Sequence, residues 1–138
     1  MFTSLKSLID QRLGSGVITH ELSTDFGYFI FIHQKHLYHV LFFLKNDPDL
    51  KLTLLDQIIG LPEKHPISDM TKDNIDTYFT ILYQLKSLNL PYRVTVVIQF
   101  DRAQDTLPGI SDIFAGARWQ EEDLAKSFEI TFLESYRE

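Results

Sequence analysis

Leu107-Pro108-Gly109-Ile110-Ser111-Asp112-Ile113-Phe114-Ala115-Gly116-Ala117-Arg118-Trp119-Gln120-Glu121-Glu122-Asp123-Leu124-Ala125-Lys126-Ser127-Phe128-Glu129-Ile130 is the stretch on which the reading of this chain turns. It holds the only tryptophan, a Pro-Gly turn and a dense run of acids. The pattern predicts a turn followed by a helix over Trp119–Phe128. Glu121, Glu122 and Asp123 then fall in the first helical turn, where acids suit the helix dipole. Ile130–Leu133 reads as a short closing strand, and Glu134–Glu138 as a fraying end.

Working back from this segment, Asp101–Thr106 is a polar loop. Tyr78–Leu85 and Tyr92–Phe100 are rich in β-branched and aromatic residues, and Lys86–Pro91 lies between them. Together they predict an antiparallel hairpin with a turn longer than two residues. Leu52–Ile59 reads as a strand in which Leu52, Leu54 and Ile58 alternate against Thr53, Leu55 and Gln57, broken at Asp56. Gly60–Pro66 and Ser68–Asp76 are connections by composition.

Earlier in the chain, His33–Lys45 has helical period. Leu37, Val40, Leu41 and Leu44 share one face, and Tyr38, Phe42 and Phe43 widen it beyond what one sheet covers. Pro48 ends that helix, because the residue before a proline disfavours the helical region. Val17–Leu22 and Tyr28–Ile32 form a strand pair around Ser23-Thr24-Asp25. Phe2, Leu5, Leu8, Ile9 and Leu13 give an N-terminal helix, closed by Gly14-Ser15-Gly16. The order is α-β-β-α-β-β-β-α with a last short strand. It predicts a single α+β domain over residues 1–138: a mixed, largely antiparallel sheet with helices packed on one face.

Composition narrows the function. The chain has 138 residues, 44% of them hydrophobic, enough for one core. No apolar run approaches the roughly 20 residues that span a bilayer. Met1–Lys6 carries no signal-peptide core. A cytoplasmic chain without direct membrane insertion is expected. There is no cysteine, which removes disulfides, thiolate nucleophiles and cysteine-ligated iron–sulfur clusters from this polypeptide. A net charge of −6 argues against nucleic-acid binding. Most of the excess lies after residue 100, where nine acids face four Lys and Arg, so a partner of that third is basic.

Several candidate chemistries are weak. Gly14-Ser15-Gly16 lacks the Lys-Ser/Thr of a phosphate loop. His33, His36 and His39 spread over about 120° of a helix, too wide for one zinc to take all three. Glu121, Glu122 and Asp123 read as a solvated or partner-facing cluster rather than as an acid/base pair, which needs separated pKa values. Ser111 lacks a nucleophile-elbow frame. Trp119, taken alone, reads as a core residue, since lone tryptophans usually pack inside. Interface anchor is its alternative.

The segment resembles the signature of the thirty-kilodalton subunit family of NADH:quinone oxidoreductases (complex I), which includes the related small subunit of energy-converting nickel–iron hydrogenases. Pro108, Ile110, Asp112, Ile113, Phe114, Ala117, Trp119, Glu121, Phe128 and Ile130 match that signature, and Asp123 stands for a second Glu. Tyr78–Leu85 and Arg93–Val96 resemble its upstream strands. Glu122 replaces a usual Arg, Lys126 an Asp and Glu129 a Gly, so the ion pairs and the helix exit differ from the family pattern. The short end after Ile130 resembles the hydrogenase homologues more than the respiratory subunit.

The resemblance implies a non-catalytic subunit of a peripheral arm, on the cytoplasmic face of a membrane through its partners. It would dock beside a large catalytic subunit and a small iron–sulfur subunit. No cofactor or metal is expected in this chain. Iron–sulfur clusters, and a nickel–iron centre or quinone, belong to the partners. Trp119, Phe114 and Phe128 would anchor the segment, to its own sheet or to a partner, while Asp112, Arg118, Glu121 and Asp123 set the register by charge. The alternative is a stand-alone protein-binding or regulatory domain of the same fold.

Overall fold

The computed structural model describes residues 5–24, 27–48, 50–61, 78–87, 93–101, 107–128 and 132–133. The connections read over Gly60–Pro66 and Ser68–Asp76 fall largely outside these, as do Glu129, Ile130 and Glu134–Glu138. In chain order the elements are α1 (Leu5–Leu13), β1 (Ile18–Thr24), β2 (Gly27–Ile32), a 3-10 turn (Gln34–His36), α2 (Leu37–Asn46), β3 (Leu54–Leu61), β4 (Tyr78–Lys86), β5 (Val94–Asp101), β6 (Leu107–Pro108), α3 (Ala117–Phe128) and β7 (Phe132–Leu133).

The main sheet has the order β1-β2-β5-β4-β3. The β1–β2 hairpin and the β3–β4–β5 meander are antiparallel within themselves. They are joined by a parallel seam, with Tyr28–Phe31 of β2 alongside Val94–Val97 of β5. The sheet is therefore mixed and largely antiparallel, as expected.

Alternation along the strands explains the two faces. Ile30 and Ile32 on β2, Ile81, Tyr83 and Leu85 on β4, and Val94, Val96 and Ile98 on β5 point to one side. There they share a core with Ile9 of α1, Leu37, Val40, Leu41 and Leu44 of α2, and Ala117 and Leu124 of α3. All three described helices thus serve one face. On the other face Phe31, Leu82 and Val97 form a smaller cluster with Phe29, Ile59 and Leu61.

Local chemistry sets the ends. Helix α2 stops at Asn46, and Asp47, before Pro48, has an extended ψ of 127°. Asp47 is buried, and its carboxylate takes the Arg12 guanidinium at 3.1 Å, tying the end of α1 to the end of α2. The break at Asp56 is a β-bulge: the β3–β4 register shifts between Leu55 and Gln57. The extra residue changes the parity of β3, so Leu55 and Ile58 share the helix-covered face. This corrects the alternation read from the sequence. Leu52 is buried ahead of the strand, whereas Leu54 is 50% exposed.

The parallel seam demands one glycine. Gly27 has φ +132°, and a Cβ there would lie 2.5 Å from the Arg93 carbonyl oxygen. That same carbonyl accepts the Tyr28 N–H at 2.9 Å, the first bond of the seam. Gly27→Ala must therefore push β2 away from β5 as well as strain φ. It is expected to lose more than about 2 kcal/mol in denaturant unfolding. Gly14→Ala is the control, because its Cβ meets nothing within 4 Å. Its positive φ alone should cost on the order of 1 kcal/mol. Equal losses at the two positions would remove the close approach as the cause.

Candidate docking segment

The segment from Leu107 to Phe128 divides into an inward half and an outward half. Leu107, Ile110, Ile113, Phe114 and Ala117 are buried, which pulls the loop beneath the helices. Two backbone bonds to the Ile110 carbonyl, from Ile113 and Phe114 at 2.9 Å each, wind the loop into a tight turn. The Ala117 N–H then bonds to the Phe114 carbonyl at 2.9 Å, and α3 starts there. The Pro108 step is a short strand, parallel to β7.

Side chains from α2 hold the loop from outside. Tyr38 Oη donates to Asp112 Oδ2 at 2.5 Å. Lys45 Nζ donates to the Ile113 carbonyl at 2.5 Å and lies 5.6 Å from the centre of the Phe114 ring. Phe114 is thus an anchor to the chain's own core, with a cation against its face.

Helix α3 starts two residues earlier than the acid pattern suggested. No acid lies in its first turn, and Glu121, Glu122 and Asp123 fall in the second. This corrects the dipole argument for them. It also separates their roles. Glu122 and Asp123 are exposed, but Glu121 is buried. Its Oε2 accepts the Ile110 N–H at 2.8 Å across the loop. Glu121 is therefore neither a solvated surface acid nor a carboxylate free for a partner. Burial pushes its carboxyl up to about 7; the Ile110 bond and Arg118 pull it down, and Asp112 adds to the rise. Tyr83 stands close enough for the Glu121 charge to add to the burial that raises its own phenol. The Tyr83 hydroxyl is buried and has no hydrogen-bond partner among the described residues.

The outward half is carried by the far side of α3. Trp119 is 72% exposed, which overturns its reading as a core residue. The reason is phase. Ala117, Glu121 and Leu124 recur at helical spacing and face inward, and Trp119 sits roughly opposite them. Arg118, Glu122, Asp123 and Lys126 are exposed with it. Between them Gln120 turns to the sheet, where its Oε1 accepts the Ile58 N–H of β3 at 2.8 Å. Trp119, Asp123 and Leu124 of α3 and Ile58, Ile59 and Gly60 of β3 line a shallow groove. Of the seven residues expected to act, Asp112, Phe114 and Glu121 bind the chain to itself, while Arg118, Trp119 and Asp123 face outward. Phe128 ends α3, and its side chain lies outside the described residues.

Gln120 and Lys45 went unnoticed in the sequence. Nothing local marks a glutamine that satisfies a strand 62 residues away. Glu121 did leave a signal, since it interrupts the apolar stripe of Ala117 and Leu124. Among the described residues no group of three or more His, Cys, Asp or Glu could hold a metal ion. None of the described helices is long and apolar enough to cross a membrane.

A small α+β domain with a clamped loop and a displayed tryptophan suits a subunit that binds other chains. The family model of the respiratory-chain NADH dehydrogenase 30 kDa subunit matches residues 30–136. The chain belongs to that family, whose members are subunits of multi-subunit respiratory complexes. The NADH-quinone oxidoreductase C subunit of Herpetosiphon aurantiacus is 24% identical over 128 residues, which cover 92% of this chain and 70% of that protein. Among solved structures, a trypsin-resistant fragment of Nqo5 superposes with a TM-score of 0.67 at 18% identity, covering 93% of this chain and 94% of that one. A chain of the membrane-bound sulfane sulfur reductase, an archaeal respiratory membrane complex, gives 0.69 at 16% identity, covering 95% and 69%. At such identities these structures establish the fold.

The elevated Glu121 carboxyl has a measurable sign. Its folded pKa of about 7 lies above the 4.5 of an unperturbed glutamate. The folded state then binds more protons than the unfolded state between these values. The group's contribution is fully present below the lower value and is lost as pH rises through about 7. Glu121→Gln keeps an acceptor for Ile110 N–H and cannot ionise. The difference in Tm, variant minus wild type, should rise from pH 5 to pH 8. A flat difference would mean that the carboxyl titrates as in water.

Proposed function

We propose that this chain is a non-catalytic structural subunit in the peripheral arm of a complex-I-like membrane-bound oxidoreductase. The exposed side of α3 docks it beside the large catalytic subunit, near the small iron–sulfur subunit. The observation that carries this reading is the 72% exposure of Trp119 in a segment otherwise pinned to the core. A tryptophan is among the side chains most often found at the centre of a binding surface. Here the indole stands beside a groove and is ringed by Arg118, Glu122 and Asp123, which supply charge for register. Iron–sulfur clusters, and the nickel–iron or quinone site, lie in the partner subunits. Through those partners the chain sits at the cytoplasmic face of the membrane without a span of its own.

The division of the segment makes the test clean. Trp119 contributes little to the fold, so Trp119→Ala should leave the Tm of the isolated chain within about 2 °C, as expected for a surface change. Recovery of the large subunit with the tagged variant should fall at least tenfold, the scale of a lost interface anchor. Phe114→Ala should instead lower the Tm strongly, through the core. Unchanged recovery of the complex with Trp119→Ala would reject docking through α3. Recovery of wild-type chain alone under gentle extraction would favour a stand-alone binding domain.

A further inference from the structure

Helix α2 carries a second surface that the docking role of α3 does not use. Its buried stripe is Leu37, Val40, Leu41 and Leu44. On the outer side Phe42 is 51% exposed. Tyr38, one turn earlier, stacks on it with ring centres 6.4 Å apart and planes 17° from parallel. Lys35 precedes this pair by three residues and Lys45 follows it by three, so the four side chains run along one stripe. Residues 33–46 include those two lysines and three histidines and not one Asp or Glu. In a chain of net charge −6 this is a marked local reversal.

Among the described residues, Asp47 at the end of this helix is buried and paired with Arg12, while Asp112 keeps its charge and accepts the Tyr38 hydroxyl, leaving the two lysines in excess over one acid along the stripe. The surface is also held in shape. Tyr38 is fixed at its hydroxyl, which holds the ring that Phe42 stacks on, and Lys45 at the Ile113 carbonyl. An apolar platform whose rotamers are set before binding loses less entropy when it is covered.

We propose that the Tyr38–Phe42 platform, bracketed by Lys35 and Lys45, docks an acidic segment of a partner subunit. Charge selects the occupant. A second basic helix would be repelled, whereas Asp or Glu side chains flanking an apolar residue match both lysines and the ring between them. A membrane surface fits less well. Lipid-binding helices bring clusters of about four to eight cations and a large free apolar face. Here the main apolar stripe is spent on the core.

This inference rests on the reading of the chain as a subunit of an assembly, and one experiment separates the two. A photo-crosslinking phenylalanine analogue is placed at position 42 in one preparation of the native complex and at position 119 in another. The crosslinked peptides are then sequenced. A partner peptide of net negative charge at position 42 is the expected result, with yield cut several-fold by Lys35→Glu and by 0.5 M salt. Capture of a partner at 119 with none at 42 overturns the α2 surface alone. So does a crosslink from 42 to a basic or neutral segment, to lipid, to this chain or to a second copy of it. Capture of an acidic partner peptide at 42 with nothing at 119 upholds the α2 surface and rejects the α3 docking. Capture at neither position rejects both.

Discussion

The bond from Ile110 N–H to the Glu121 carboxylate decides what the rest of the segment can do. It closes the loop between a buried backbone donor and a buried acid, two groups that would each be costly alone. With the loop closed, Phe114 reaches the core, and Asp112 and Ile113 meet Tyr38 and Lys45 on α2. The helix then starts at Ala117, and that start sets the phase that turns Trp119 outward. Glu121 is one of the three residues, with Ala117 and Leu124, whose burial turns Trp119 to the opposite side of α3.

The sheet gives this arrangement its footing. The parallel seam between β2 and β5 brings the hairpin and the meander into one layer. Leu37, Val40, Leu41 and Leu44 on α2 and Ala117 and Leu124 on α3 then share one core with the covered strands. Because both helices rest on the same layer, Tyr38 and Lys45 can reach over from one to grip the loop that leads into the other.

Much of this was legible in the amino acids. The β4–β5 hairpin followed from two runs rich in β-branched and aromatic residues, and the end of α2 from Pro48; the break at Asp56 was visible too, but not the bulge that reverses the alternation beyond it. These are local signals, and local signals survive in a sequence. The β2–β5 pairing is a contact between distant strands and left no such mark. In the segment itself, residue type misled where position would have informed. Tryptophan suggested the core, and a run of three acids suggested solvent. Reading both on the helical wheel of Ala117 and Leu124 reverses each assignment. Trp119 lies out of phase with the apolar stripe, and Glu121 lies in it. What no local pattern holds is a long-range polar bond, such as Lys45 to the Ile113 carbonyl or Gln120 to Ile58.

That last bond has a consequence for the life of the chain before assembly. Strand β3 is last in the order of its sheet, so among the described residues its outer backbone edge has no strand neighbour. Such an edge is a template on which another polypeptide can zip. The Gln120 amide oxygen occupies the Ile58 N–H from the side, in the place a neighbouring strand's carbonyl would take. An incoming strand must displace it to bond at Ile58. A single side chain on α3 thereby occupies one donor in the middle of that edge, where an unsheathed N–H would otherwise invite a passing strand.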